Sequence, residues 1–91
     1  PVAGMGADPV VLSPASGKVY YLENREKISL PVKISVSREH FPVTIYLNGK
    51  RVKTSGWNQK IDLETGPGTY ELTVADNAGR ASTTKFVVTD F

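Results

Sequence analysis

Gly66-Pro67-Gly68-Thr69-Tyr70-Glu71-Leu72-Thr73-Val74-Ala75-Asp76-Asn77-Ala78-Gly79-Arg80 is the stretch that decides the fold. Tyr70, Leu72 and Val74 alternate with Thr69, Glu71, Thr73 and Ala75. In an extended chain, successive side chains point to opposite faces, so the segment reads as a strand with one apolar and one polar face. Gly66, Pro67 and Gly68 stop the chain before it. Asp76, Asn77 and Gly79 turn it afterwards, because such residues accept positive φ or bond to their own backbone.

The same test works outward along the chain. Ile28, Leu30, Val32, Ile34 and Val36 alternate with Ser29, Pro31, Lys33 and Ser35, the clearest strand in the sequence. Each such apolar side chain is worth roughly 1.5–3 kcal/mol when fully buried. Pro31 has no N–H, so the ladder there is expected to be at an edge or interrupted. Val43, Ile45 and Leu47 form a second alternating set, with Thr44 and Tyr46 opposite. Asn48-Gly49 then signals a hairpin, since a type I′ turn needs positive φ at both central residues. Lys50-Arg51-Val52 resumes the strand and Thr54-Ser55-Gly56 breaks it. Trp57 to Leu63 reads as a shorter strand with Ile61 and Leu63 on one face. Ser82 to Thr89 closes the chain, with Thr84, Phe86 and Val88 together.

Upstream, Val10 to Leu12 reads as an edge strand. Lys18 to Leu22 reads as a short strand, with one of Tyr20 and Tyr21 turned inward and the other outward. Arg38 to Pro42 is a turn. Seven or eight short strands separated by turn signals, with no helix, predict an all-β fold: an immunoglobulin-like two-sheet sandwich of seven or eight antiparallel strands, without a disulfide. A small closed barrel is the competing architecture, and the mixture of tight hairpins and longer crossings favours the sandwich.

The 91 residues suffice for one domain with a modest core. There is no cysteine, which leaves the redox compartment open. A net charge of +2, with acids and bases interspersed, gives no argument for nucleic acid or for an anionic membrane. No apolar run approaches the ~20 residues of a membrane helix. Residues 1–8 are rich in Gly, Ala and Pro and are expected to be a linker or disordered segment, with the sandwich domain over 9–91. A chain that starts at Pro1 is expected to be a piece or a processed form of a longer protein.

Gly68-x-Tyr70-x-Leu72-x-Val74-x-Asp76-x-x-Gly79, followed by a strand with Phe86, resembles the last two strands of bacterial immunoglobulin-like domains. The resemblance implies that Tyr70 is the tyrosine corner of the sandwich. It also puts Leu72 where an antibody domain carries its second cysteine, so that packing replaces the disulfide. Further upstream, Leu12-Ser13-Pro14-Ala15-Ser16-Gly17, Tyr20, Pro42 to Leu47 and Asn48-Gly49-Lys50-Arg51-Val52 are similar to the C-terminal domain of bifunctional penicillin-binding proteins. Arg80 fits the end of that pattern. Such a resemblance implies a module of a larger exported bacterial protein, located at the cell surface, outside the cell or in the periplasm.

Chemistry is harder to place. His40 is the lone histidine, there is no Gly-x-Ser-x-Gly, and a solvated loop histidine is the simplest account of it. Cysteine-based and multi-histidine metal sites are excluded by composition. Asp62, Glu64, Asp76, Asn77 and Asp90 are too dispersed for a calcium loop, and Asp76-Asn77 is explained by turn formation. No cofactor is expected. Gly66-Pro67-Gly68 opens a strand and so does not cradle phosphate.

Tyr46 should be exposed on a sheet face, and Trp57 follows a glycine. Lys50, Arg51, Lys53 and Lys60 lie near both in sequence. Tyr46, Lys50, Arg51, Lys53 and Trp57 are therefore the candidate ligand-binding residues, with binding expected around the Asn48-Gly49 hairpin. Exposed rings could stack on sugars, and the bases could meet an acidic wall polymer. The plainer account is that lysines guard an edge strand and aromatics cover the sheet. A single-stranded nucleic-acid platform would need more bases and fewer acids. The expected function is a non-catalytic spacer or protein-interaction module, monomeric in isolation, with neighbouring domains as partners. The alternative is a carbohydrate- or cell-wall-binding module.

Overall fold

The computed structural model describes residues 9–90. The linker expected over 1–8, and the final residue of the expected domain, lie outside the described residues. Eight strands follow in order: β1 (Val10–Ser13), β2 (Lys18–Tyr21), β3 (Ile28–Ser35), β4 (Val43–Leu47), β5 (Lys50–Ser55), β6 (Ile61–Thr65), β7 (Gly68–Ala75) and β8 (Ala81–Thr89). Among the described residues a single 3-10 turn, Arg38–His40, sits between β3 and β4.

Two sheets form an immunoglobulin-like sandwich. One has three strands in the order β1-β3-β6, the other five in the order β2-β8-β7-β4-β5. Alternation in β3 turns Ile28, Leu30 and Val32 inward and leaves Ser29, Pro31 and Lys33 in solvent. Pro31 faces Asp62 of β6, while the β1 partners begin only at Lys33, so the ladder is one-sided where the proline lacks its N–H. Between the sheets lie these residues together with Val43, Ile45, Ile61, Leu63, Leu72, Val74, Phe86 and Val88.

Phe86 is at the middle of this core. The Tyr70 ring stacks on it at 5.3 Å between centroids, and Tyr20 meets it edge-on at 6.0 Å. Both are favoured aromatic geometries. Tyr20 is accordingly half-buried, while its neighbour Tyr21 is exposed. The Tyr70 hydroxyl donates to the Gly66 carbonyl oxygen at 2.8 Å and so ties β7 to the corner that precedes it. Leu72 is fully buried. Apolar packing occupies that position in a chain without cysteine.

Three expectations are corrected. The strands are antiparallel except for one pair: β2 runs parallel to β8, because the crossing at 14–17 moves the chain to the other sheet instead of folding it back as a hairpin. Strand β5 does not break at Thr54. It stays paired through Thr44↔Thr54 and Val43↔Ser55, with Ser55 buried. The segment from Trp57 to Lys60 is not strand. Asn58 has φ of 64°, and the Gln59 side chain accepts from the Gly56 N–H at 2.7 Å, which makes a turn, so β6 begins only at Ile61.

Candidate functional site

The β4–β5 hairpin carries most of the sequence-predicted site. Asn48 and Gly49 have φ of 53° and 82°, the left-handed pair that such a turn requires. Asn48 does more than turn the chain. Its side-chain oxygen accepts from the Glu71 N–H at 2.8 Å, and its own N–H donates to the Glu71 carbonyl at 2.9 Å, pinning the hairpin to β7.

Register then separates the candidates. Tyr46 pairs with Arg51 on one side and with Thr73 on the other, and Thr73 pairs with Thr83. These residues form one row on the outer face of the five-stranded sheet, with the Thr73 and Thr83 hydroxyls bonded at 2.8 Å. Val52 is the extra residue of a bulge. Beyond it, Lys53 pairs with Ile45, and Lys50 pairs with Leu47. These two lysines therefore belong to the other side of the strand and are exposed along the sheet's edge. A basic edge strand of this kind resists pairing with another chain.

Trp57 is elsewhere. Ser55 pairs with Val43 at the start of β4, whereas the hairpin is at its end. Four residue steps at about 3.3 Å separate the two ends by roughly 13 Å. Trp57 lies on the far side of that distance, in the turn before β6. Its ring is half-exposed, with the Arg38 guanidinium 4.4 Å from the ring centroid, within cation–π range. The ring forms part of the wall of a cleft of about 450 Å³, floored by Ile34, Val36 and Phe41 and rimmed by Leu12. Asn58, Gln59, Lys60 and Lys33 line the same cleft.

A third cluster joins the β7–β8 turn to the β3–β4 connection. Oδ1 of Asp76 accepts from the N–H groups of Ala78 and Arg80, each at 2.9 Å. Its Oδ2 lies 3.2 Å from Nε of Arg80, and the carboxylate is closed to solvent. Burial opposes the charged form. The two backbone N–H donors and the charges of Arg80 and His40 outweigh it, so Asp76 titrates below the usual carboxylate range. Arg80 Nη2 sits 3.2 Å and 3.1 Å from the two ring nitrogens of His40, and so rests against the imidazole. Asn77 donates from its side chain to the carbonyls of Glu39 and Phe41, at 3.1 and 2.9 Å, and from its backbone to that of His40 at 3.1 Å. His40 is thus half-buried and engaged, not a solvated loop residue, and Asp76-Asn77 does more than form a turn. The cause is the same in both: the turn folds over the 3-10 segment and bonds it.

Residues 2–86 match the model of the Penicillin-Binding Protein C-terminus Family. The chain belongs to this family. No curated protein and no solved structure matches it. In this penicillin-binding protein C-terminal domain, no group of His, Cys, Asp and Glu among the described residues is arranged to hold a metal. No helix among them is long and apolar enough to cross a membrane.

The domain therefore brings Tyr46 and Arg51 together, sets Lys50 and Lys53 along the edge, and places Trp57 in a separate cleft with Arg38. Arg38, Lys33, Asn58 and Gln59 were not singled out from the sequence. Only the Gly56 stop before Trp57 hinted at a turn there, and Lys33 read as one more polar position of β3.

Proposed function

We propose that the domain is a non-catalytic accessory module of a larger penicillin-binding protein, exported to the bacterial cell surface or periplasm, where it serves as a spacer or interaction domain. The observation that carries this is the match of residues 2–86 to the Penicillin-Binding Protein C-terminus Family. In keeping with it, His40 is held in a clamp between two loops, its carbonyl accepting from Asn77 and its ring lying against Arg80. The test is labelling with a fluorescent penicillin, which acylates a catalytic serine. The chain should remain unlabelled under conditions that label a complete penicillin-binding protein. Covalent labelling of the chain would overturn the proposal.

A second reading is a carbohydrate- or cell-wall-binding module. The half-exposed Trp57 at a cleft with an apolar floor favours it, since an indole stacks on the C–H faces of a sugar. Co-sedimentation with insoluble peptidoglycan tests it. Retention of the chain supports the reading, and free passage removes it.

A further inference from the structure

Resting on the glycan reading, we infer that the Trp57 cleft, and not the sheet face around Tyr46, is the ligand subsite, and that its ligand is an amino-sugar glycan bearing carboxylates. The volume of about 450 Å³ lies within the usual range for small-ligand clefts, about 300–1,000 Å³. Its floor of Ile34, Val36 and Phe41 suits the methyl of an N-acetyl group and the apolar face of a pyranose. Trp57 supplies the stacking ring, and Arg38 at 4.4 Å fixes that ring from one side. The Gln59 side chain, bonded to the Gly56 N–H, fixes the turn that carries it.

Charge selects the class of glycan. Lys33 and Lys60 line the cleft, and no acid lines it with them. Neither lysine has an ion-pair partner among the described residues. The adjoining groove contains the same two lysines and one acid, Asp62. A neutral sugar chain would have no use for two unpaired cations beside the ring, whereas the free carboxylates of the peptide on a muramyl unit would meet them. The Tyr46 face offers less. It is a flat row whose Thr73 and Thr83 hydroxyls bond each other, and beside it Lys85 is already 3.4 Å from Glu71.

The experiment titrates the chain with a disaccharide–tetrapeptide muropeptide and, separately, with neutral chitotetraose, following the fluorescence of its single tryptophan and amide NMR shifts. The muropeptide should bind more tightly than chitotetraose and shift amides around residues 56–61. Trp57→Ala, followed by amide NMR shifts alone because it removes the fluorophore, should weaken binding about ten-fold. Lys33→Gln with Lys60→Gln should bring muropeptide affinity down to that of chitotetraose and abolish its salt dependence. Tyr46→Ala with Arg51→Gln should leave binding unchanged. Circular dichroism checks that each variant is folded, and the lysine pair, being exposed, decides the matter if Trp57→Ala is not. Binding lost in the Tyr46 and Arg51 variant but kept in the cleft variants overturns the assignment and leaves the glycan reading standing. Equal affinity for chitotetraose overturns the charged-ligand class. Failure of the wild-type chain to bind either sugar or insoluble peptidoglycan overturns the glycan reading and this inference together.

Discussion

Arg80 holds its Nε 3.2 Å from Oδ2 of Asp76, a carboxylate whose side chain is closed to solvent. The two residues sit at the ends of the β7–β8 turn, and the same arginine rests against His40 at the far side of the β3–β4 connection. One buried charge therefore organises two loops. A buried carboxylate is tolerable only if it is bonded or paired, and here two backbone N–H groups bond Oδ1 while the Arg80 guanidinium pairs with Oδ2 as an ion pair.

The first prediction concerns acid. The folded domain holds the pKa of Asp76 below its unfolded value of about 3.9. Its contribution to stability is therefore complete above that value and is lost as pH falls through the lower, folded-state value. Asp76→Asn removes the titration and one strong acceptor, at a cost of about 1–3 kcal/mol near neutral pH. Thermal denaturation followed by circular dichroism should show a lower Tm for the variant at about pH 7, and a gap to wild type that narrows towards about pH 3. A gap independent of pH would show that the carboxylate's charge does not matter.

The second concerns the corner. Tyr70→Phe keeps the ring on Phe86 at its stacked distance and removes only the hydroxyl bonded to Gly66. The loss should be about 1 kcal/mol. In a domain of this size that is about 4–8 °C in Tm. Tyr70→Ala, which also empties part of the core, should cost about 3–5 kcal/mol. Equal losses in the two variants would mean that the hydroxyl, not the ring, holds the corner.

How much of this was legible in the sequence follows from what is local. Strand β7 could be read because Tyr70, Leu72 and Val74 alternate within a few residues, and Asn48-Gly49 could be read because a turn is decided by its own φ angles. The Asn77 bonds to Glu39 and Phe41 span 38 and 36 positions, and no local pattern announces them. The same holds for His40, whose surroundings are supplied by Arg80 from 40 positions away. The proposed site dispersed for a related reason. Arg51 and Lys53 are two positions apart, but the bulge at Val52 puts them on opposite sides of β5, and the turn at Asn58 takes Trp57 away from the hairpin; neither irregularity has a periodic signature.

The hairpin gives the third prediction. Gly49 has φ of 82° with nothing within 4 Å of where a Cβ would stand, so substitution there meets backbone strain but no clash. Gly49→Ala should cost about 1–2 kcal/mol. Asn48→Ala combines similar strain with loss of the acceptor for the Glu71 N–H. It should therefore lower the urea midpoint further than Gly49→Ala does, and the double variant tests whether the two effects add. If Asn48→Ala were the milder change, the bond to β7 would contribute nothing to the hairpin.

The last prediction uses Trp57 as its own reporter. It is the single tryptophan, so emission from the chain reports one ring. The Arg38 guanidinium lies 4.4 Å from that ring, and the pair is solvent-facing. At exposed sites such a contact is worth about 0.5–1 kcal/mol. Arg38→Ala should therefore leave the unfolding midpoint nearly unchanged while it frees the indole, which shifts the emission to longer wavelength and raises quenching by acrylamide. Arg38→Lys keeps the charge but not the planar group, and should fall between wild type and Arg38→Ala. Stability and spectrum separate the two roles open to this arginine. A large fall in midpoint with no spectral change would make Arg38 a support for the 3-10 turn. The reverse would make it the residue that holds the cleft wall in place.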